Sequence, residues 1–267
     1  TLSQIVAEEL GVPIELISVV AADTDLTPVD MGNYSSRTTM MAGNAVKGAA
    51  ASAKGRVLEG AADLLEAKAV DLLSQDGRIF VKGSPERGVS FVEAVRAAYR
   101  MAKGQQITAE GVYVPNPRLI SPSISFSVQI AEVEVDRETG QVQVTDLTSA
   151  HDCGVAINPM SVEGQLEGSV YMGVGYALSE ELSEVDGQSI QSSFTDYHMP
   201  TVGEMPRVAA LHVEVVDPEG PFGAKEAGEG TVGPTAPAIA NAIFDAVGVR
   251  LVDMPLAPEK VLRGTGS

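Results

Sequence analysis

Residues 220–230 read Gly-Pro-Phe-Gly-Ala-Lys-Glu-Ala-Gly-Glu-Gly, with four glycines set around Lys225, Glu226 and Glu229. Glycine accepts positive φ and lets main chain come close to a bound group. A Glu on such a loop is held by backbone and can be aimed at one point. Gly233-Pro234-Thr235 and an apolar helical run follow, which puts Glu229 near a helix N-terminus. Spacing alone fits an ordinary glycine-rich loop with a solvated Glu229 at least as well.

The rest of the chain must supply what surrounds that loop. At 267 residues with no Pro/Ser-rich linker, one folded unit is expected. The net charge of -18, from 36 acidic and 18 basic residues, argues against nucleic acid or an anionic membrane as partner. No signal-peptide pattern or spanning-length apolar run stands out. Cys153 is the single cysteine, so an internal disulfide is excluded and a reducing, cytoplasmic location is expected.

Thr1 and Gln4 have the form of a capping box, ahead of a helix with Leu2, Ile5, Val6 and Leu10 on one face, ended by Gly11 and Pro13. So abrupt an opening reads as the middle of a longer protein. Ile17 to Ala22 reads as a strand and Asp23 to Asn33 as a loop. A long helix is expected from about Arg37 to Leu65, burying Val46, Ala50, Ala53, Val57, Ala61 and Leu64. Its glycines Gly43, Gly48, Gly55 and Gly60 suggest close packing against another element. Gln75-Asp76-Gly77 marks a hairpin, and Ser90 caps a helix to about Met101.

Ile124, Phe126, Val128 and Ile130 alternate, then the apolar set slips to Ala131, Val133 and Val135, as a β-bulge would make it. A partner strand is expected from Gln141 to about Thr148, another from Val208 to Val216. Asn158 and Pro159 start a helix whose Gly164 and Gly168 share one face, open to a ligand or to plain helix packing. Thr235 is expected to cap a helix through Ile239, Ile243 and Val247, closed by Gly248. Strands and helices mix without a regular βαβ repeat, so the fold class is α+β.

The three histidines, His151, His198 and His212, lack zinc-like spacing, and no metal ligand is assigned. Cys153 has no basic neighbour in sequence and reads as an inert buried thiol. Gly32, Asn33, Tyr34, Ser35, Ser36, Arg37 and Thr38 offer backbone and hydroxyl groups just before the long helix, whose N-terminus favours anions. Capping by Ser35 or Ser36 is the structural alternative.

Gly223-Ala224-Lys225-Glu226-Ala227-Gly228-Glu229 resembles the loop that carries the active-site Glu in the large subunit of the molybdenum hydroxylases, the xanthine oxidase and aldehyde oxidoreductase family. That loop usually reads G-x-K-G-x-G-E. Glu226 replaces its middle glycine, a departure similar to the 4-hydroxybenzoyl-CoA reductase branch. Three further segments carry the resemblance in the family's order: Asp30 to Arg37, Asp152 to Pro159, and Gly164-Gln165-Leu166-Glu167-Gly168. The resemblance covers nearly the whole chain. It implies the C-terminal part of a molybdenum cofactor-binding domain over 1–267, lacking an upstream glycine-glutamine motif. The implied cofactor is a molybdenum-pterin dinucleotide, expected in the cytosine form, with the metal held by the pterin and not by protein atoms.

The resemblance further implies that residues 32–38, Gln165 and Gly228 hold the cofactor, those segments converging with residues 223–229. Glu229 would handle the proton of the oxygen nucleophile that attacks the substrate carbon, and Lys225 would brace the loop. Glu226 could raise the Glu229 pKa by like-charge repulsion. The expected reaction is reductive dehydroxylation of an aromatic acyl-CoA such as 4-hydroxybenzoyl-CoA. Hydroxylation of an aldehyde or N-heterocycle, and a non-catalytic scaffold, are the alternatives. Expected partners are the N-terminal remainder of the subunit, iron-sulfur and FAD subunits, and a small aromatic substrate. Exposed faces should be apolar where the remainder and the partner subunits dock.

Overall fold

A computed structural model describes residues 1–116 and 123–266. The fold is mixed α+β, as the sequence suggests, but it divides into two compact units. The first comprises residues 1–123 and 217–224, the second residues 124–216 and 225–267. The chain passes between the units at three points, and each passage is short. That is why no linker marks the division in the sequence.

In the first unit, α1 (Leu2–Leu10) ends at Gly11, which takes the left-handed conformation at φ 70°. Thr1 is the N-cap residue, but its side chain makes no cap hydrogen bond, so the expected box does not form. Ile17 to Ala22 is not a strand. Val19 and Val20 are exposed, and among the described residues no strand pairs with them. A β-prone run without a partner gains no ladder hydrogen bonds and stays irregular.

The long helix α2 (Thr38–Leu65) buries Met40, Gly43, Ala50, Val57, Gly60 and Ala61. Leu64 is exposed, contrary to the expected stripe, and Leu65 packs on the core in its place. Two of the four glycines account for close packing. A Cβ on Gly60 would collide with the Ala94 carbonyl and the Ala98 amide of α3 (Phe91–Met101), and one on Gly43 would press on Pro221 and Ile5. Gly48 and Gly55 face open space.

Strands β1 (Leu72–Gln75), β2 (Arg78–Val81) and β3 (Ser84–Ser90) form an antiparallel sheet. Asp76 at φ 51° and Gly77 at φ 75° make its first turn, as the hairpin signal predicts. Ser90 and Glu93 form a complete capping box at the start of α3. Leu72 and Ile79 close the core against Val57, Ala61 and Ala94.

The second unit is built on β4 (Ser127–Val135), β5 (Val142–Asp152) and β8 (Arg207–Val213), with β4 antiparallel and β8 parallel to β5. Helices α4 (Pro159–Leu178) and α7 (Thr235–Val247) cover one face, around Val144, Leu147, Val170, Val174, Ile239 and Ile243. Between β5 and β8 along the chain lie α4, a short hairpin of β6 (Glu184–Val185) and β7 (Gln188–Ser189), and α5 (Phe194–Tyr197). The chain closes with α6 (Glu229–Val232), α7 and α8 (Pro258–Thr265).

The register does shift between Glu132 and Val133, but the unpaired extra residue, Thr145, is in β5, not β4. The burial alternation accordingly runs unbroken from Ile124 to Val135, with the even-numbered residues outward. The apolar slip in the sequence therefore marks a change of face. Ile124, Phe126, Val128 and Ile130 lie outside, where Val128 and Ile130 are each 66% exposed, and Leu211 and Val213 of β8 are exposed as well.

Thr235 is the first helical residue of α7 and does not cap it. Its hydroxyl donates back to the Thr231 carbonyl at 3.3 Å, and its side chain fills the space beside Gly173 of α4. Asn158 does cap α4, accepting from the Ser161 amide at 3.2 Å, and Gly248 closes α7 at φ 76°.

Candidate active-site loop and its anchors

The end of β5 supplies the foundation. The sequence pattern runs to about Thr148, but the strand continues to Asp152, because Ser149 and His151 occupy inward positions that apolar residues fill earlier. Polar residues on a buried face hide a strand from hydropathy reasoning, although the alternation itself persists.

Asp152 and Lys225 form a buried ion pair at 2.6 Å, with side chains 10% and 7% exposed. Burial alone would push the Asp152 carboxyl up. Donation from Lys225 and from the amides of Gly154 (3.1 Å) and Val215 (3.3 Å) outweighs it and holds the pKa below the ordinary carboxylate value. The Lys225 amide also donates to the Cys153 carbonyl at 2.7 Å, so Lys225 braces the loop through main chain and side chain together. Burial raises the Cys153 thiol pKa, and Glu214, Asp152 and Glu226 add to it, which fits an inert thiol.

The next residue, Glu226, turns its carboxylate inward. The Ser125 hydroxyl donates to Oε1, and Nε2 of His151 lies 3.4 Å from the same oxygen. Nε2 is also 2.9 Å from the Glu226 carbonyl oxygen, while Nδ1 of His151 is 2.7 Å from the Ser127 hydroxyl.

Gly228 follows with φ 139° and ψ -92°, a conformation closed to L side chains. Its carbonyl accepts from the Ser169 hydroxyl of α4 at 2.7 Å and from the Thr231 hydroxyl at 2.6 Å. The Thr231 carbonyl accepts in turn from Gln129 Nε2 of β4 at 2.7 Å. Glu229 is the first residue of α6 and is exposed, on a segment fixed from β4, β5 and α4. Sequence reasoning overlooked His151, Ser125, Ser169 and Gln129, because their partners lie tens of residues away.

Of the predicted site residues, Gln165, Gly228 and Glu229 fall in this unit. The Ser169 hydroxyl joins two of them, its one proton shared between the Gln165 and Gly228 carbonyl oxygens, each at 2.7 Å. Gln165 itself is exposed, and Gly164 and Gly168 beside it have nothing within 4 Å of where a Cβ would stand. Among the described residues, nothing packs against that face. Gly173 and Gly175 pack closely instead, against Thr235 and Pro200.

Gly32 to Thr38 belongs to the first unit. Gly32, Asn33, Tyr34 and Ser35 are exposed, and Ser35 and Ser36 take positive φ in succession, at 55° and 46°. Neither serine caps α2; the cap residue is Arg37, with no side-chain cap bond. The turn is held by Thr38 donating to Asn33 Oδ1 at 2.7 Å and by Arg37 donating to the Tyr34 hydroxyl at 2.6 Å. Among the described residues no group of three or more His, Cys, Asp or Glu could hold a metal ion.

The molybdopterin cofactor-binding domain family matches residues 1–206, and the chain belongs to it. Over 269 residues it is 36% identical to 6-hydroxypseudooxynicotine dehydrogenase complex subunit gamma of Paenarthrobacter nicotinovorans, covering 97% of this chain and 33% of that protein. Over 265 residues it is 32% identical to the xanthine dehydrogenase molybdenum-binding subunit of Escherichia coli O157:H7, covering 97% of this chain and 35% of that one. The crystal structure of quinoline 2-oxidoreductase from Pseudomonas putida 86 superposes with a TM-score of 0.90 at 32% identity, over 100% of this chain and 34% of that one. The chain thus spans about a third of the length of the relatives it matches.

Proposed function

We propose that this chain is the cofactor-holding, acid–base portion of a molybdenum-dependent oxidoreductase. The observation that carries the reading is the Glu229 segment: an exposed carboxylate directly after a glycine whose backbone only glycine can adopt, clamped by Ser169 and Thr231. A pterin with a phosphate-linked nucleotide asks for hydroxyl, amide and backbone groups. Residues 32–38 and Gln165 offer that donor set, and the bare Gly164/Gly168 face leaves room for a ring against α4. The residues present therefore fit the group. We assign Gly32, Asn33, Tyr34, Ser35, Ser36, Arg37, Thr38, Gln165 and Gly228 to holding it.

Bound molybdenum would supply two-electron redox chemistry and Lewis acidity. Glu229 would take the proton from the oxygen nucleophile as it attacks the substrate carbon, or return it in the reverse direction. The main chain fixes where that carboxylate stands, and Asp152 and Lys225 keep the loop in place beneath it.

Hydroxylation of an N-heterocycle or aldehyde is the reading we favour. Xanthine and quinoline, named in two of the relatives, are nitrogen heterocycles. Reductive dehydroxylation of an acyl-CoA such as 4-hydroxybenzoyl-CoA rests on Glu226 alone, and that side chain is occupied with Ser125 and His151. We assign the rest of a subunit of the relatives' length as the partner that covers Val128, Ile130 and Leu211. Iron-sulfur and flavin subunits would carry electrons, in the cytoplasm; among the described residues no helix is long and apolar enough to cross a membrane.

Metal and pterin analysis of the complete subunit tests the reading. Stoichiometric molybdenum and a cytosine dinucleotide, with turnover of quinoline or xanthine and none of 4-hydroxybenzoyl-CoA, are expected. A loaded enzyme that only dehydroxylates the thioester would reverse the choice. A complete subunit free of molybdenum and pterin would leave a scaffold.

A further inference from the structure

We infer that Glu226 and His151 act as a pair that positions Glu229, by gripping the backbone on both sides of it. This rests on the reading of Glu229 as the proton-handling group. On the upstream side, the Glu226 carbonyl is held by His151 Nε2 at 2.9 Å. On the downstream side, the Glu226 carboxylate packs against Gly230, where a Cβ would collide with Oε1 and lie 3.3 Å from His151 Cε1. One side chain and one imidazole thus fix the third residue before Glu229 and the residue after it.

The hydrogen-bond roles follow from the partners. His151 Nε2 faces two acceptors, the Glu226 carbonyl and Oε1, so it carries the proton. Nδ1 then accepts from the Ser127 hydroxyl, while the Ser125 hydroxyl donates to Glu226 Oε1. Every group in the chain Ser127–His151–Glu226–Ser125 is satisfied in this arrangement except Glu226 Oε2, which is buried without a hydrogen-bond partner among the described residues. An unsatisfied buried carboxylate oxygen costs stability. A glutamate there is explained by what it holds. The Asp152–Lys225 pair stabilises the loop one residue earlier, and does not reach past Glu226.

The test uses the complete, cofactor-loaded enzyme with Glu226→Ala, Glu226→Gln and Glu229→Gln. Gln keeps the acceptor for Ser125 and the shape against Gly230; Ala removes both. Glu226→Ala should lower kcat per molybdenum roughly 10- to 10²-fold, the cost of misplacing a reacting group by about an ångström, with KM little changed. Glu226→Gln should restore most of it. Hydrogen exchange of the peptide spanning residues 226–232, read by mass spectrometry in loaded and cofactor-free protein, should speed up in Glu226→Ala and not in Glu226→Gln. Unchanged exchange in Glu226→Ala would overturn the inference, and so would a kcat per molybdenum equal to that of the parent. Full turnover by Glu229→Gln is a separate failure: it removes Glu229 from the chemistry while the exchange result stands.

Discussion

At the scale of single residues, Asp152 and Lys225 show how a loop built from glycines is kept in one conformation. Breaking a buried pair by removing one partner leaves an uncompensated charge, at about 3–5 kcal/mol. Lys225→Met should therefore destabilise the protein by that order, and Asp152→Asn with Lys225→Met should recover much of it; thermal or denaturant unfolding checks both. The pH dependence has a definite sign. The folded carboxyl titrates below its unfolded value of about 3.9, so its contribution is fully present above that pH. It is lost as pH falls through the lowered folded value. The parent should lose an increment of stability on acidification that the double variant does not lose. Equal acid sensitivity of the two would show that the pair contributes nothing to folding.

At the scale of elements, α4 carries two kinds of glycine, and a substitution separates them. Gly173 lies against Thr235, where any Cβ collides, so Gly173→Ala should destabilise by about 1–3 kcal/mol through overpacking. Gly168 faces open space mid-helix, where glycine costs about 1 kcal/mol relative to alanine. Gly168→Ala should then raise the melting temperature of the cofactor-free protein while lowering the molybdenum and pterin content of the complete subunit. A stabilised variant with unchanged cofactor content would return that face to plain solvent exposure. The sequence carried much of this level. The hairpin at Asp76-Gly77, the Ser90 cap, the Asn158-Pro159 helix start and the Gly248 stop each depend on neighbours within four residues, and each is present. What failed depended on distant partners. Ile17 to Ala22 has the composition of a strand but no strand to pair with among the described residues, and the last four residues of β5 hide because Ser149 and His151 face inward. Lys225 was legible as a brace, but its partner Asp152, 73 residues earlier, was not.

At the scale of the whole molecule, the proposed reading has the rest of a longer subunit cover apolar groups that this chain exposes. The outer face of the β4–β5–β8 sheet, with Val128, Ile130 and Leu211, is one such surface. The isolated 267-residue chain should bind the molybdenum cofactor weakly, because partial contacts lose preorganisation as well as area. Metal analysis after purification from a molybdenum-replete host checks that, and stoichiometric metal would refute it. The central claim is that Glu229 handles the proton, and Glu229→Gln in the complete enzyme tests it most directly. Gln keeps the size and most of the hydrogen bonding, and Glu229 is an exposed residue beside glycines, so folding and cofactor content should survive. Turnover per molybdenum, measured across pH, should fall by roughly 10²–10⁴-fold, the range for loss of an acid–base group. A fully loaded Glu229→Gln enzyme with near-parental turnover and an unchanged pH profile would contradict the account.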